Sequence, residues 1–213
     1  MRRTEFTNGN VYYLANYGVE SRALFTDDED RVRFLECIRR FRQTKEKPYL
    51  DQLPELNLTM LAYSLCGSGF HFMVRQEREE GITEMMHQLG TAYSMFFNKK
   101  YRRMGRLFVG PFKAKTLTTD EQFLAISKYI HRCALRLLPS RDPAEQVKHL
   151  RTYLWSSYQD YVGLREGTLA DRKFVLSTVQ AADAASWYKK FVEAGYTADE
   201  REFVEPFVFE PVI

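Results

Sequence analysis

NLTMLAYSLCGSGFHFMV, residues 57–74, sets two apolar runs on either side of a turn at Cys66–Gly69, and its reading decides the fold. The length and the β-branched and aromatic content of residues 57–65 predict a buried strand. FHFMV, residues 70–74, predicts its hairpin partner. Upstream, NVYYLAN (10–16) is rich in strand formers and closes on Tyr17-Gly18. Thr26-Asp27-Asp28-Glu29 then supplies an N-cap and an acidic first turn for a helix whose apolar positions are Val32, Phe34, Leu35, Ile38 and Phe41, ending near Gln43. A polar linker containing Pro48 and Pro54 leads into the hairpin.

Downstream, Ile82, Met85, Met86, Leu89, Ala92, Tyr93, Phe96 and Phe97 keep a period of three to four and predict a long helix over 82–101. FKAKTLT (112–118) follows as a fourth strand, and Asp120–Leu138 as another long helix. The order β-α-β-β-α-β-α predicts an α+β chain: a ferredoxin-like, split-βαβ antiparallel sheet with helices on one face. Beyond Pro139 short helices are expected around 144–154, 171–179 and 184–194, with an acidic, solvated tail after Tyr196. The expected division is a ferredoxin-fold domain over 1–138 and a C-terminal helical extension with its tail over 139–213.

The 213 residues, 45% hydrophobic, suffice for one generous core. The formal net charge of +3 conceals an uneven distribution: from Phe97 to Lys115 there are seven basic residues and no acidic one. Three cysteines, Cys37, Cys66 and Cys133, match neither a disulfide framework nor a zinc knuckle, and so predict a reducing compartment. With no apolar leader or membrane span expected, the predicted location is cytoplasmic.

Six stretches, in order, resemble the REP-associated tyrosine transposases, within the HUH class of single-strand DNA endonucleases. They are YYLANYGVESRALF (12–25), AYSLCGSGFHFMV (62–74), GITEMMHQLGTAYSMFFNKKYRR (81–103), LFVGPFKA (107–114), SKYIHRCAL (127–135) and WSSYQDYVG (155–163). The resemblance implies cleavage and rejoining of single-stranded or hairpin DNA through a 5′-phosphotyrosine at Tyr129, assisted by a divalent metal such as Mg²⁺ or Mn²⁺. In the family two histidines on one strand share the ion, and a ligand one turn from the tyrosine completes it.

This chain departs from that pattern. Where the family commonly reads Pro-Asn-His-Phe-His, it reads Gly67-Ser68-Gly69-Phe70-His71, so Gly69 stands at a lost ligand position. Cys133 replaces the helix asparagine, Ala134 the following proline, and Tyr13 and Tyr17 stand where the family usually has His and Arg. The resemblance therefore leaves His71 and Cys133 as a weak or absent metal site, one suited more to zinc than to magnesium. It implies impaired nicking. The alternative is a catalytically inactive DNA-binding or regulatory protein derived from a transposase, with no metal at all. Monomer and homodimer both remain open.

A buried helix tyrosine is ordinarily core, a strand histidine structural, and a helix cysteine a small hydrophobe. His87 and His149 show no ligand spacing, whereas His131, two residues from Tyr129, is expected in packing or beside DNA. Lys99, Lys100, Arg102, Arg103, Arg106, Lys113 and Lys115, interleaved with Tyr101 and Phe108, are the expected DNA-binding groups: cations for phosphates and rings for bases. A second basic set, Arg39, Arg40, Arg42, Lys45 and Lys47, is weaker, because it also answers the first helix's dipole.

Overall fold

A computed structural model describes residues 4–42, 57–210 and 212. Its elements run β1 (Val11–Tyr17), α1 (Asp28–Phe41), β2 (Leu58–Cys66), β3 (Gly69–Gln76), α2 (Gly81–Lys100), β4 (Lys113–Leu117) and α3 (Asp120–Arg132). A 3-10 turn over Cys133–Leu137 continues α3. Then come α4 (Pro143–Thr152), α5 (Tyr158–Tyr161), α6 (Arg172–Leu176), α7 (Ala184–Glu193) and α8 (Ala198–Val204). The sheet is antiparallel in the order β2-β3-β1-β4, as the split-βαβ reading predicts. Lys45, Lys47 and the proline-containing linker lie outside the described residues.

The hairpin closes with two residues, Gly67 and Ser68, so that Cys66 pairs with Gly69 and Ser64 with His71. Gly67 takes a positive φ of 30°, and its carbonyl accepts from the backbone N–H groups of Leu24 and Phe25, fixing the loop after β1. A bulge between Met60 and Ala62 keeps β2's side chains on their proper faces.

The helices do not share one face. Tyr12, Leu14, Phe70, Phe72 and Val74 pack with Phe34, Ile38, Met85 and Tyr93 of α1 and α2. The alternate residues Tyr13, Ala15 and Met73 pack with Ile126, Tyr129 and Ile130 of α3. The cause is legible in β1 and β3, which are apolar at both parities: both faces must be covered. One helix pair cannot do that.

Residues beyond Pro139 complete the second face. Leu150, Tyr158, Tyr161, Val175, Tyr188, Val192 and Val204 join Tyr13 and Met73 in one core. The same segment lies along β2: Leu65 N–H donates to the Trp155 carbonyl, Tyr63 N–H to Ser157 Oγ, and Asp171 N–H to the Met60 carbonyl. The acidic tail is solvated only in part: Asp199, Glu202 and Glu205 are exposed, but the segment is anchored. Val204 is fully buried, and Glu200 caps α8 while binding the buried Lys128 ammonium of α3 at 3.0 Å. That ammonium also sits over the rings of Phe191 and Tyr196, at 4.1 and 4.8 Å. Apolar residues between the tail's acids, and this buried cation beneath them, draw it down. No helix among the described residues is long and apolar enough to cross a membrane.

Candidate functional site

His71 is the third residue of β3, and alternation turns it toward α3 beside Ala15, its partner on β1. Tyr129 lies on α3 because Thr119 caps that helix with a reciprocal Gln122 bond, setting its register. The two rings meet edge to face at 5.7 Å between centroids. Cys133 follows one turn along, at the end of α3. The side chains of Tyr129, His71 and Cys133 thus pack together beneath one cleft, all three buried.

Tyr13 stands between them. Its hydroxyl hydrogen-bonds His71 Nδ1 at 2.7 Å, and its ring meets that of Tyr129 edge-on. The Tyr129 hydroxyl donates to the Glu210 carbonyl and accepts from the Arg136 guanidinium, both at 3.3 Å. Burial, reinforced by Cys133, pushes the Tyr129 phenol far above its ordinary value, against the pull of Arg136. Tyr13 is raised likewise by burial and by Tyr129. Neither phenol is an ionised nucleophile in this closed arrangement.

The position of the lost histidine is filled by a ring. A Cβ added at Gly69 would lie 2.7 Å from the Tyr17 ring and 3.2 Å from the Asn16 carbonyl oxygen. Tyr17 is Gly69's cross-strand partner and lies over it.

A third donor, missed in the sequence, is Cys66. It lies at the end of β2, and its ligand atom and those of His71 and Cys133 all fall within 4.8 Å of one another, all three residues being buried. The signal was available: a two-residue turn at 67–68 pairs Ser64 with His71, so Cys66, two residues on, falls on the same face. Burial pushes the Cys66 thiol up. In Cys133 burial acts the same way, but contact with Cys66 and with His71 and Arg136 outweighs it and holds the thiol well below its usual range. Two sulfurs and an imidazole are soft donors and do not fit Mg²⁺ or Mn²⁺, which prefer oxygen.

The tail closes this cleft. A Glu210 carboxylate oxygen lies 3.7 Å from His71 Nε2 and 3.3 Å from Arg136 Nε. Phe209 stacks on Tyr13 at 5.5 Å. A small pocket of about 110 Å³ remains, lined by Cys66, Gly69, His71, Arg136, Leu137 and Glu210.

The basic residues divide. Lys113 and Lys115 pair with Ala15 and Tyr13 and so share the His71 face; Lys113 lies over the rings of Tyr17 and Phe209. Lys99, Arg102 and Arg106 are exposed around the C-terminal end of α2, on the side of the other helix pair. Lys100 is committed to Asp27, Glu29 and the buried Asp30, each within 2.9 Å, and tethers α2 to α1. Arg103 braces its own loop through Asn98 and the Arg106 carbonyl. Arg42 likewise donates to the Leu169 carbonyl. His131 is a packing residue, fully buried between Ser157 Oγ (2.8 Å) and the Tyr188 hydroxyl (2.9 Å), with its pKa pushed down to about 3 by desolvation.

The fold and this site define the class first: a ferredoxin-like α+β protein whose second sheet face buries a tyrosine–histidine–cysteine cluster. Among solved structures the chain is similar to a REP-associated tyrosine transposase bound to a REP hairpin, with a TM-score of 0.54 at 10% identity, over 86% of this chain and 92% of that one. It shares that protein's fold. No protein-family model and no curated protein matches it.

Proposed function

We propose that this chain is a binding protein for single-stranded or hairpin DNA on a tyrosine-transposase scaffold, with strand cleavage at Tyr129 impaired. The observation that carries the reading is the cleft: Tyr129, His71, Arg136 and Lys113 converge on one face of a fold shared with a hairpin-bound transposase. A phosphate entering there meets two cations; Lys115 lies on the same face, and Lys99, Arg102 and Arg106 form a separate exposed basic set around the end of α2. Beside the loop over 107–112, a groove of about 420 Å³ lined by Phe70, Met86, Phe108 and Phe112 offers rings to an unstacked base.

In the family reaction the Tyr129 oxygen attacks phosphorus, the bond to the 3′ oxygen breaks, and a 5′-phosphotyrosine and a 3′ hydroxyl result. Here Arg136 is the group that would stabilise the phenolate and the charged phosphorane. Two features oppose the reaction: the buried phenol bonded to Glu210, and a donor set unsuited to a hard ion.

The test is filter binding across a salt series, run beside a cleavage assay on hairpin-bearing single-stranded DNA. Binding should weaken steeply with salt. Neutralising Lys99, Arg102 and Arg106 together, or Lys113 and Lys115 together, should flatten the slope by up to about one unit per lost phosphate contact. A covalent adduct should be scarce and absent in Tyr129→Phe. Unchanged affinity and slope in both variants would remove the DNA reading, and abundant Tyr129-dependent adduct would remove the impairment.

A further inference from the structure

Cys66, His71 and Cys133 reach one point from three elements: the end of β2, the start of β3 and the end of α3. Ordinary packing leaves one feature unexplained. His71 is 1% exposed, yet its Nε2 makes no hydrogen bond to any described residue. Its Nδ1 is held by the Tyr13 hydroxyl at 2.7 Å. When Nδ1–H donates to Tyr13, Nε2 carries the free lone pair, as in an imidazole oriented to bind a metal. The Glu210 oxygen lies 3.7 Å from Nε2. That is close to the roughly 3.3–3.8 Å between ligands on a tetrahedral ion with bonds of about 2.0–2.3 Å.

We propose that Cys66, His71 and Cys133 form a three-ligand site for a thiophilic divalent cation, zinc above all, with the Glu210 carboxylate in the fourth, exchangeable position. Charge balance supports the choice: two thiolates and the Glu210 carboxylate are matched by Zn²⁺ and the Arg136 guanidinium beside Glu210, in a site whose three ligands are nearly inaccessible. Loading releases to solvent whatever protons the two sulfurs still carry and changes no oxidation state. The histidine pair of the resembled family is thus replaced by a soft set built around the surviving His71, and Tyr13 becomes the outer partner that fixes its ring. The site does not rest on the DNA reading, and its test uses no DNA.

The full-length protein, reduced and freed of metal by a chelator, is titrated with Zn²⁺, Co²⁺ and Mg²⁺. One equivalent of Zn²⁺ per chain is expected by elemental analysis. Co²⁺ should give thiolate charge-transfer absorption with the visible bands of a tetrahedral ion, and Mg²⁺ should not compete. Cys66→Ala and Cys133→Ala, each a small apolar replacement, should abolish the charge-transfer band or halve it while the protein stays folded by circular dichroism. Tyr13→Phe should weaken Zn²⁺ about 10- to 100-fold, and Glu210→Gln should retain one equivalent with a shifted Co²⁺ spectrum. The wild-type titration decides the matter even if a variant fails to fold. Absence of the charge-transfer band, Mg²⁺ competing equally, or a Cys66–Cys133 disulfide with no metal taken up after reduction would overturn the site.

Discussion

Gly69 shows how far one residue constrains the cleft. Restoring the histidine pair of the resembled family by Gly69→His meets the Tyr17 ring, because the new Cβ falls 2.7 Å from it. The pair Gly69→His and Cys133→Asn should therefore lose stability, by about 1–3 kcal/mol for an overpacked site, and should gain little Mg²⁺ affinity. Adding Tyr17→Ala should recover part of the loss, as denaturant unfolding of the double and triple variants would show. If the double variant is as stable as the parent, Tyr17 moves aside freely and the steric account fails. Gly69 and His71 were legible because a strand alternates and a hairpin has a register. Cys66 was equally legible by the same rule but was passed over, since a cysteine at a turn carries no periodic signal of its own. The Tyr17 ring over Gly69 was not legible: it depends on which strand lies beside β3.

At the scale of the element, α3 is the hinge between sheet and C-terminal helices. His131 joins it to Ser157 and Tyr188 and remains neutral, its pKa held near 3 by burial. The unfolded chain takes up a proton below about pH 6.5 while the folded chain does not. This contribution is fully present above that pH and is lost on acidification toward pH 3, at up to about 1.4 kcal/mol per unit. Unfolding free energies measured between pH 7 and 4 should fall more steeply for the wild type than for His131→Gln, whatever the variant's stability at pH 7. Parallel slopes would mean that His131 titrates normally when folded. Lys100 makes a similar point about α1 and α2. Lys100→Met should lower the melting temperature, because Asp30 loses its cation, yet leave the salt slope of DNA binding unchanged; a slope reduced as by Lys99→Met would return Lys100 to the DNA surface. The helices themselves were readable from periodicity and caps. Which cations were already occupied was not, since Asp27 and Lys100 are 73 residues apart.

For the whole molecule, the tail is the feature that composition misrepresented. Its acids suggested solvent, but Glu200 and Glu210 meet cations on the second sheet face and Phe209 lies on Tyr13. A chain ending at Phe207 should bind single-stranded DNA more tightly than the full length, because Glu210 no longer repels phosphate from Arg136. Fluorescence anisotropy with a labelled oligonucleotide would measure this, and equal affinities would show that DNA docks away from the cleft. The sheet order was legible from the element sequence, since a split βαβ unit has few routes. The two-sided cover was not, because it depends on where the last 75 residues, 139–213, return.

The backbone bonds from Trp155, Ser157 and Asp171 to β2 have a consequence for solution behaviour. β2 is the outermost strand on its side, nine residues long and almost wholly buried, and those bonds occupy the groups it would otherwise offer to a neighbour. The opposite margin, β4, is short and carries Lys113 and Lys115, charges that discourage pairing. Cutting the chain at Leu138 would bare a long apolar edge strand together with the Tyr13 face of the sheet. Such a fragment should assemble through β2 into β-rich aggregates that bind thioflavin, while the full chain stays dispersed at the same concentration. On this view the C-terminal third is the guard on one margin of the sheet, and a soluble, folded 1–138 fragment would contradict it.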